Sequence, residues 1–392
     1  MRKLIAILVV FALAAGAAFA QAEFSAGGAV RATLFDIHSE SDDVNAGMES
    51  WFWISAGKTN DEGTMGAKGG LSINTQGGAV NISGDDTWFY AWWQPIEYIF
   101  VKMGKVGEDG KYWAGAGIGA WDFQSNDLFI SPAFDYYNGF ASGVMGDGHG
   151  YLDNGLGTTH GLQFSLTNIA DILTINFGLA FGEDPWPYGN ASNFQLWNDA
   201  SESSPILDTL AVQAVVEIPD VGQLAVGFKN AAEGDPINMY LQYKMGLTDD
   251  MKIEVGANLG FDNDSNLEPL KAGIGFGYGS PWGDDFWLTA RIGLQFGMAD
   301  GDDHAIVGLG ITPSYDLGIF RVYVPIDIAI SQPAGGGDAL FAWGFNPYIR
   351  KQMGGLEMWT GFYVYNGAQW GLTEANAEEV TFAYQLGFLW AW

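Results

Sequence analysis

Cysteine is absent from the chain, which excludes disulfides, thiol catalysis and a lipid-modified N-terminal cysteine. Long apolar runs are scarce as well. Beyond residue 20 no stretch reaches the ~18 uninterrupted apolar residues of a spanning helix, so a mature chain in a membrane must cross it with strands. Basic residues are few: 16 Lys and Arg stand against 46 Asp and Glu, a net charge of −30, which speaks against nucleic acid as a partner. The acidic pairs Asp42-Asp43, Asp85-Asp86, Asp249-Asp250, Asp284-Asp285 and Asp302-Asp303 fall in loop-like stretches and read first as solvated loop tips. Signatures of enzymes are missing too, with no GxSxG, no Walker A and no GxGxxG between a strand and a helix. Asp262-Asn263-Asp264-Ser265-Asn266 starts like a calcium loop but lacks the glycine at position six and the glutamate at twelve. His38, His149, His160 and His304 have no metal-site spacing. No catalytic, metal or cofactor residue is assigned, and the expectation is a protein that is not an enzyme.

What the chain has in excess is glycine, 56 of 392 residues, and aromatic rings, 15%. Arg2 and Lys3 lead into an apolar run from Leu4 to about Gly16, and Ala18-Phe19-Ala20 supplies the small residues read by signal peptidase. Residues 1–20 are expected to be a cleaved signal peptide, and 21–392 the mature domain. Without Arg2 and Lys3 the 16 basic residues become 14, against 46 acids, and the net charge becomes −32.

Alternating apolar and polar segments recur through the mature chain, separated by Gly, Asn, Asp and Pro clusters. They span 24–35, 49–58, 64–74, 88–94, 97–105, 158–167, 171–182, 207–218, 222–230, 236–247, 250–261, 268–279, 285–297, 304–314, 318–330, 339–350, 355–366 and 379–392. That pattern predicts an all-β, antiparallel up-and-down barrel of about 18 strands, with 16 or 20 as alternatives. Counted back from the end, short connections alternate with long ones, as in membrane barrels with short periplasmic turns. If both termini are periplasmic the strand number is even. The glycine-rich block 106–157 must then add no strand or two, and it is read as one long loop, although 112–121 alternates enough to be a strand.

The last segment, Val380 to Trp392, places Val380, Phe382, Tyr384, Leu386, Phe388, Trp390 and Trp392 on one phase. This ending resembles the C-terminal signal of bacterial outer-membrane β-barrel proteins of porin type. The resemblance implies an outer-membrane location, contact with lipid, insertion by the barrel-assembly machinery through Val380 to Trp392, and a homotrimer among the assemblies to consider. It also implies that a loop in the place of 106–157 folds into the lumen. Its acids Asp122, Asp127 and Asp135, with Glu108 and Asp109, would then face arginines across a constriction.

Charge phase completes the reading. The oily phase leaves Arg31, Lys68, Lys244, Lys252, Glu254, Lys271, Arg291, Arg321, Asp327 and Arg350 on the opposite face, together with Glu217 and Lys229. A Lys or Arg facing lipid at mid-bilayer costs ~2–4 kcal/mol, whereas a wet lumen costs little. Those ten residues are the expected pore lining. With 16 to 18 strands the interior cannot be filled by wall side chains alone. The function predicted is a passive porin for small hydrophilic solutes, cation-preferring because acids crowd its mouths. Trp287, Tyr323, Trp359 and Tyr363, with Tyr348 and Tyr365, share the polar phase and suit a sugar-selective porin. A surface adhesin or antigen barrel without transport is the alternative from another class, and an outer-membrane lipid hydrolase a more distant one.

Overall fold

The computed structural model describes residues 23–39, 44–76, 79–81, 87–105, 112, 160–180, 210–229, 237–246, 252–261, 269–297, 305–332, 338–366 and 378–392. They form 21 β-segments. The first six are β1 (Glu23–His38), β2 (Val44–Thr59), β3 (Met65–Gln76), β4 (Ala79–Asn81), β5 (Thr87–Ile96) and β6 (Ile99–Lys105). Then come β7 (His160–Ile169), β8 (Leu173–Ala180), β9 (Leu210–Ile218), β10 (Gly222–Lys229), β11 (Ile237–Gly246), β12 (Lys252–Phe261) and β13 (Pro269–Pro281). The chain continues through β14 (Phe286–Gly297), β15 (Ala305–Asp316), β16 (Arg321–Tyr323), β17 (Ile326–Gln332), β18 (Leu340–Phe345), β19 (Tyr348–Met353), β20 (Leu356–Asn366) and β21 (Val380–Ala391).

All pairings are antiparallel and join strands that follow one another along the chain, and β21 pairs with β1 from Ala29↔Ala391 to His38↔Ala383, so the ladder runs round a closed ring. Three wall strands are interrupted. β3 pairs with β4 at one end and β5 at the other. β15 pairs with β16 and then β17, and β20 with β19 and then β18. Joining the three broken pairs turns the 21 segments into the eighteen strands read from the alternation. Two breaks fall at Val324-Pro325 and Asn346-Pro347. Proline has no N–H to give the ladder, and the neighbouring strand instead donates to its carbonyl, from Asn346 to Pro325 at 3.0 Å and from Phe362 to Pro347 at 3.1 Å.

The alternation of short and long connections also holds. The short turns include 170–172, 219–221, 282–285, 317–320 and Gly354-Gly355, and both ends of the described chain lie on their side of the barrel. Gly354 takes φ +61°, open to glycine and strained for other residues. Two details depart from the sequence reading. Ala79–Asn81 is an additional piece of strand. β1 carries a register shift between Thr33 and Phe35, after which Phe35 and Ile37 join Leu34 on the exposed side; a bulge resets the alternation.

The two faces differ as required. Outward on β21 lie Val380, Phe382 and Trp390, exposed, while Thr381 and Ala383 between them are buried. Met48, Phe52, Ile54, Phe89, Trp93, Ile292, Ile328 and Phe341 continue the exposed apolar face around the ring. In water that much contiguous apolar surface would be a liability. Around a barrel it is the lipid-facing band.

Candidate functional site

The interior face divides into three sectors. The first is a mostly neutral arc over β6 to β11, with Lys102 as its buried charge. Phe100 and Lys102 on β6, Gln163, Ser165 and Thr167 on β7, Asn176 on β8, Gln213 on β9 and Gln242 on β11 are each at most 2% exposed. The ladder carries the arc laterally: Phe100 faces Ser165, Ser165 faces Asn176, and Asn176 faces Gln213. Asn176 donates to the Gln213 amide oxygen at 3.2 Å and Gln163 to the Ser165 hydroxyl at 2.9 Å. Tyr112, the described residue of 106–157, is docked on this arc. Asn176 donates to its carbonyl at 2.6 Å, its hydroxyl and the Gln94 amide hydrogen-bond at 3.0 Å, and its ring meets Phe100 edge-on at 5.1 Å. Lys102 lies over the Tyr90 ring at 4.2 Å. In the sequence Lys102 and Phe100 fall on one phase of a short strand, so neither a charge rule nor an oil rule singles Lys102 out.

The second sector is the late wall, β14 to β21 with β1. Four expected rings meet there. Trp287 faces Ser314, Ser314 faces Tyr323, and Tyr323 faces Tyr348. The Tyr323 and Tyr348 rings stack at 4.6 Å with 2° between planes. Tyr348, Trp359, Tyr365 and Ala383 form a buried cluster, with Tyr323 and Leu389 against it. The Trp359 indole donates to Gln385 at 3.3 Å and lies in the space a Cβ at Gly387 would fill, 2.4 Å from it. Arg31 sits over that ring at 5.8 Å. Arg350 is ion-paired to Glu357, and Arg321 to Asp316 at 3.6 Å. Sequence reasoning missed Glu357 because it is the lone acid of an otherwise aromatic strand.

The third sector, β2, β3 and β5, is open. Trp53, Ser55 and Gly57 on β2 and Gly66, Lys68, Gly70 and Ser72 on β3 all keep part of their surface accessible, and Trp53 is 40% exposed.

Of the expected pore-lining residues, Arg31, Lys68, Lys244, Arg321 and Arg350 lie on the inward phase and are half-buried. Lys252, Glu254, Lys271, Arg291, Asp327 and Tyr363 are placed by backbone register alone. Lys244 faces Glu254, Gly277 faces Glu254 and Arg291, and Gly310 faces Arg291 and Asp327. The acids Asp122, Asp127 and Asp135 lie outside the described residues. Among the described residues no group of three or more His, Asp and Glu could hold a metal ion, and no helix is long and apolar enough to cross a membrane.

No protein-family model and no curated protein sequence matches the chain. Solved structures do. OccK2 (OpdF) of Pseudomonas aeruginosa is similar at TM-score 0.59 and 12% identity, over 94% of this chain and 97% of that one. OccK5 (OpdH) of the same organism is similar at TM-score 0.57 and 10% identity, over 94% and 98%. The loop-L8 deletion mutant of OmpT, an outer membrane protein of Vibrio cholerae, is similar at TM-score 0.52 and 10% identity, over 95% and 99%. At such identities the likeness is one of fold: the chain has the antiparallel barrel architecture of bacterial outer-membrane proteins of porin type.

Proposed function

We propose that this protein is an outer-membrane porin, a passive and non-enzymatic conduit for small hydrophilic solutes. The carrying observation is the closed ring of pairings, apolar and exposed outside, polar inside. Eighteen strands enclose more cross-section than wall side chains fill. The docking of Tyr112 on the arc over β6 to β11 supports 106–157 entering the lumen and narrowing it, with Asp122, Asp127 and Asp135 as its acids. The leader is removed near Ala20, the machinery that inserts barrels reads Val380 to Trp392, both termini are periplasmic, and a homotrimer is the assembly to test by native mass.

The net charge of −32 after loss of Arg2 and Lys3 supports cation preference, since acids at a low-dielectric mouth raise the local cation concentration. Reconstitution into planar bilayers under asymmetric KCl tests both levels. Stepwise conductance with a cation-selective reversal potential is expected. An anion-selective reversal potential removes the preference, and absence of conductance removes the channel in favour of a surface adhesin or antigen. A sugar-selective version of the channel draws its support from rings on β2 and β5 rather than from Trp359, whose ring is buried.

A further inference from the structure

Two indoles on the open sector share one geometry. A Cβ built on Gly27 would lie 2.6 Å from the Trp53 ring, and one built on Gly66 would lie 2.3 Å from the Trp92 ring. Gly27 is the register partner of Trp53, and Gly66 that of Trp92. Each ring therefore occupies the room its glycine partner leaves vacant and lies down along the wall instead of standing into the lumen. A ring seated this way has one face on the backbone and the other toward the interior. Trp53 is exposed and Trp92 half-buried, unlike Trp359, which uses the same device at Gly387 but is closed over at 1% exposure.

β3 sets their spacing. Trp92 stands beside Gly66 and Trp53 beside Ser72, six residues further on, which at ~3.3 Å per residue is ~20 Å of wall. The inward positions of β3 between them are Lys68 and Gly70. Across from them on β2 are Gly57, facing Lys68, and Ser55, facing Gly70; the Ser55 hydroxyl is hydrogen-bonded to that of Ser25. The stretch thus offers two apolar ring faces far apart and hydroxyls of Ser55 and Ser72 beside them, with Gly57 on β2 and Gly70 on β3 small between them and Tyr90, carrying Lys102 over its ring, facing Lys68 on the β5 side.

We propose that this wall is a binding track for neutral, linear oligosaccharides, with Trp53 and Trp92 as its two stacking positions. Sugar rings have an apolar C–H face that suits an indole and an edge of hydroxyls that both donate and accept. Two rings ~20 Å apart require a chain of sugars rather than one. A strongly charged solute gains little, because the described charges along this wall, Lys68 and the buried Lys102 against Glu23, are of both signs. The proposal rests on the channel reading and refines it.

The test is single-channel recording of the full mature protein in planar bilayers, with maltohexaose as the probe and polyethylene glycol of similar size as a polymer without ring faces. Wild-type protein is expected to show transient, concentration-dependent block by maltohexaose and not by the glycol. Trp53→Ala and Trp92→Ala should each weaken that block about five- to tenfold, in keeping with the value of a ring contact, and Phe341→Ala on the exposed outer face should leave it unchanged. Gly27→Ala is the sharper variant, because the three atoms nearest to the added methyl all belong to the Trp53 ring, so it keeps both indoles and lifts one off the wall; block should weaken there too, with open conductance showing that the barrel has formed. If wild-type protein conducts and maltohexaose does not block it, or blocks Trp53→Ala and Trp92→Ala equally well, the track is refuted while the channel stands. Equal block by the glycol refutes it as well, since size alone then explains the effect. Absence of any conductance refutes the channel itself and the track with it.

Discussion

On β19 and β20 the inward rings Tyr348, Trp359 and Tyr365 are buried packing material, whereas Trp53 on β2 and Trp92 on β5 keep accessible surface. Both walls seat an indole over a glycine, Trp359 over Gly387 and Trp53 over Gly27. What differs is the company. Trp359 has Tyr348, Tyr365 and Ala383 buried around it, Gln385 on its N–H and Arg31 over its face. Around Trp53, Ser55 and Ser72 are small, and Trp53 stays 40% exposed. The same ring on the same seat becomes a structural residue when its neighbours are tall and an accessible one when they are short.

The widest separation between the two walls should come from truncating the rings. Trp359→Ala should cost ~3–5 kcal/mol, the usual loss for a large buried aromatic, and should lower the urea midpoint for loss of the compact, fast-migrating form on unheated gels. Trp53→Ala should shift that midpoint little, because its ring is already exposed. Equal shifts would break the comparison.

Next in size is Glu357. Its carboxylate is buried and paired with Arg350, so Glu357→Leu leaves a partly buried guanidinium without its partner, at ~3 kcal/mol, the low end for a broken buried pair. Removing Asp316 from Arg321 should cost under ~1 kcal/mol, since that pair is exposed. Gly387→Ala should come third, at ~1–3 kcal/mol, since the added methyl meets both the Trp359 ring and the Ala32 carbonyl, 2.7 Å away. Gly27→Ala should cost less, the Trp53 ring being free to swing into open lumen. Asn176→Ala, which deletes one hydrogen bond to the Tyr112 carbonyl and one to Gln213, should cost ~1–2 kcal/mol. Its clearer readout is faster proteolysis within 106–157 in intact membranes.

Much of the barrel was legible beforehand because a strand with lipid on one side and water on the other must alternate. That constraint placed all eighteen strands and the class of nearly every connection. It failed where alternation carries no contrast. Trp51-Phe52-Trp53 and Trp88-Phe89-Tyr90 put rings on both faces, so the open indoles could not be assigned a side. Lys102 shares a phase with Phe100, and its place inside is set by its register with Gln163. Phase shows which side of the sheet a residue takes and is silent about the height of its neighbours on the adjoining strands.

Read alone, the order of residues determined an antiparallel barrel with an oily exterior, a charged interior phase and short turns on one side. These follow from local periodicity and from the cost of placing charge in hydrocarbon. Tertiary structure decided which inward side chains are spent on one another and which remain free to meet a solute. That depends on lateral neighbours such as Gly387 beside Trp359 and Gly66 beside Trp92, which come from strands distant in the chain or displaced along it and meet only once the ring has closed.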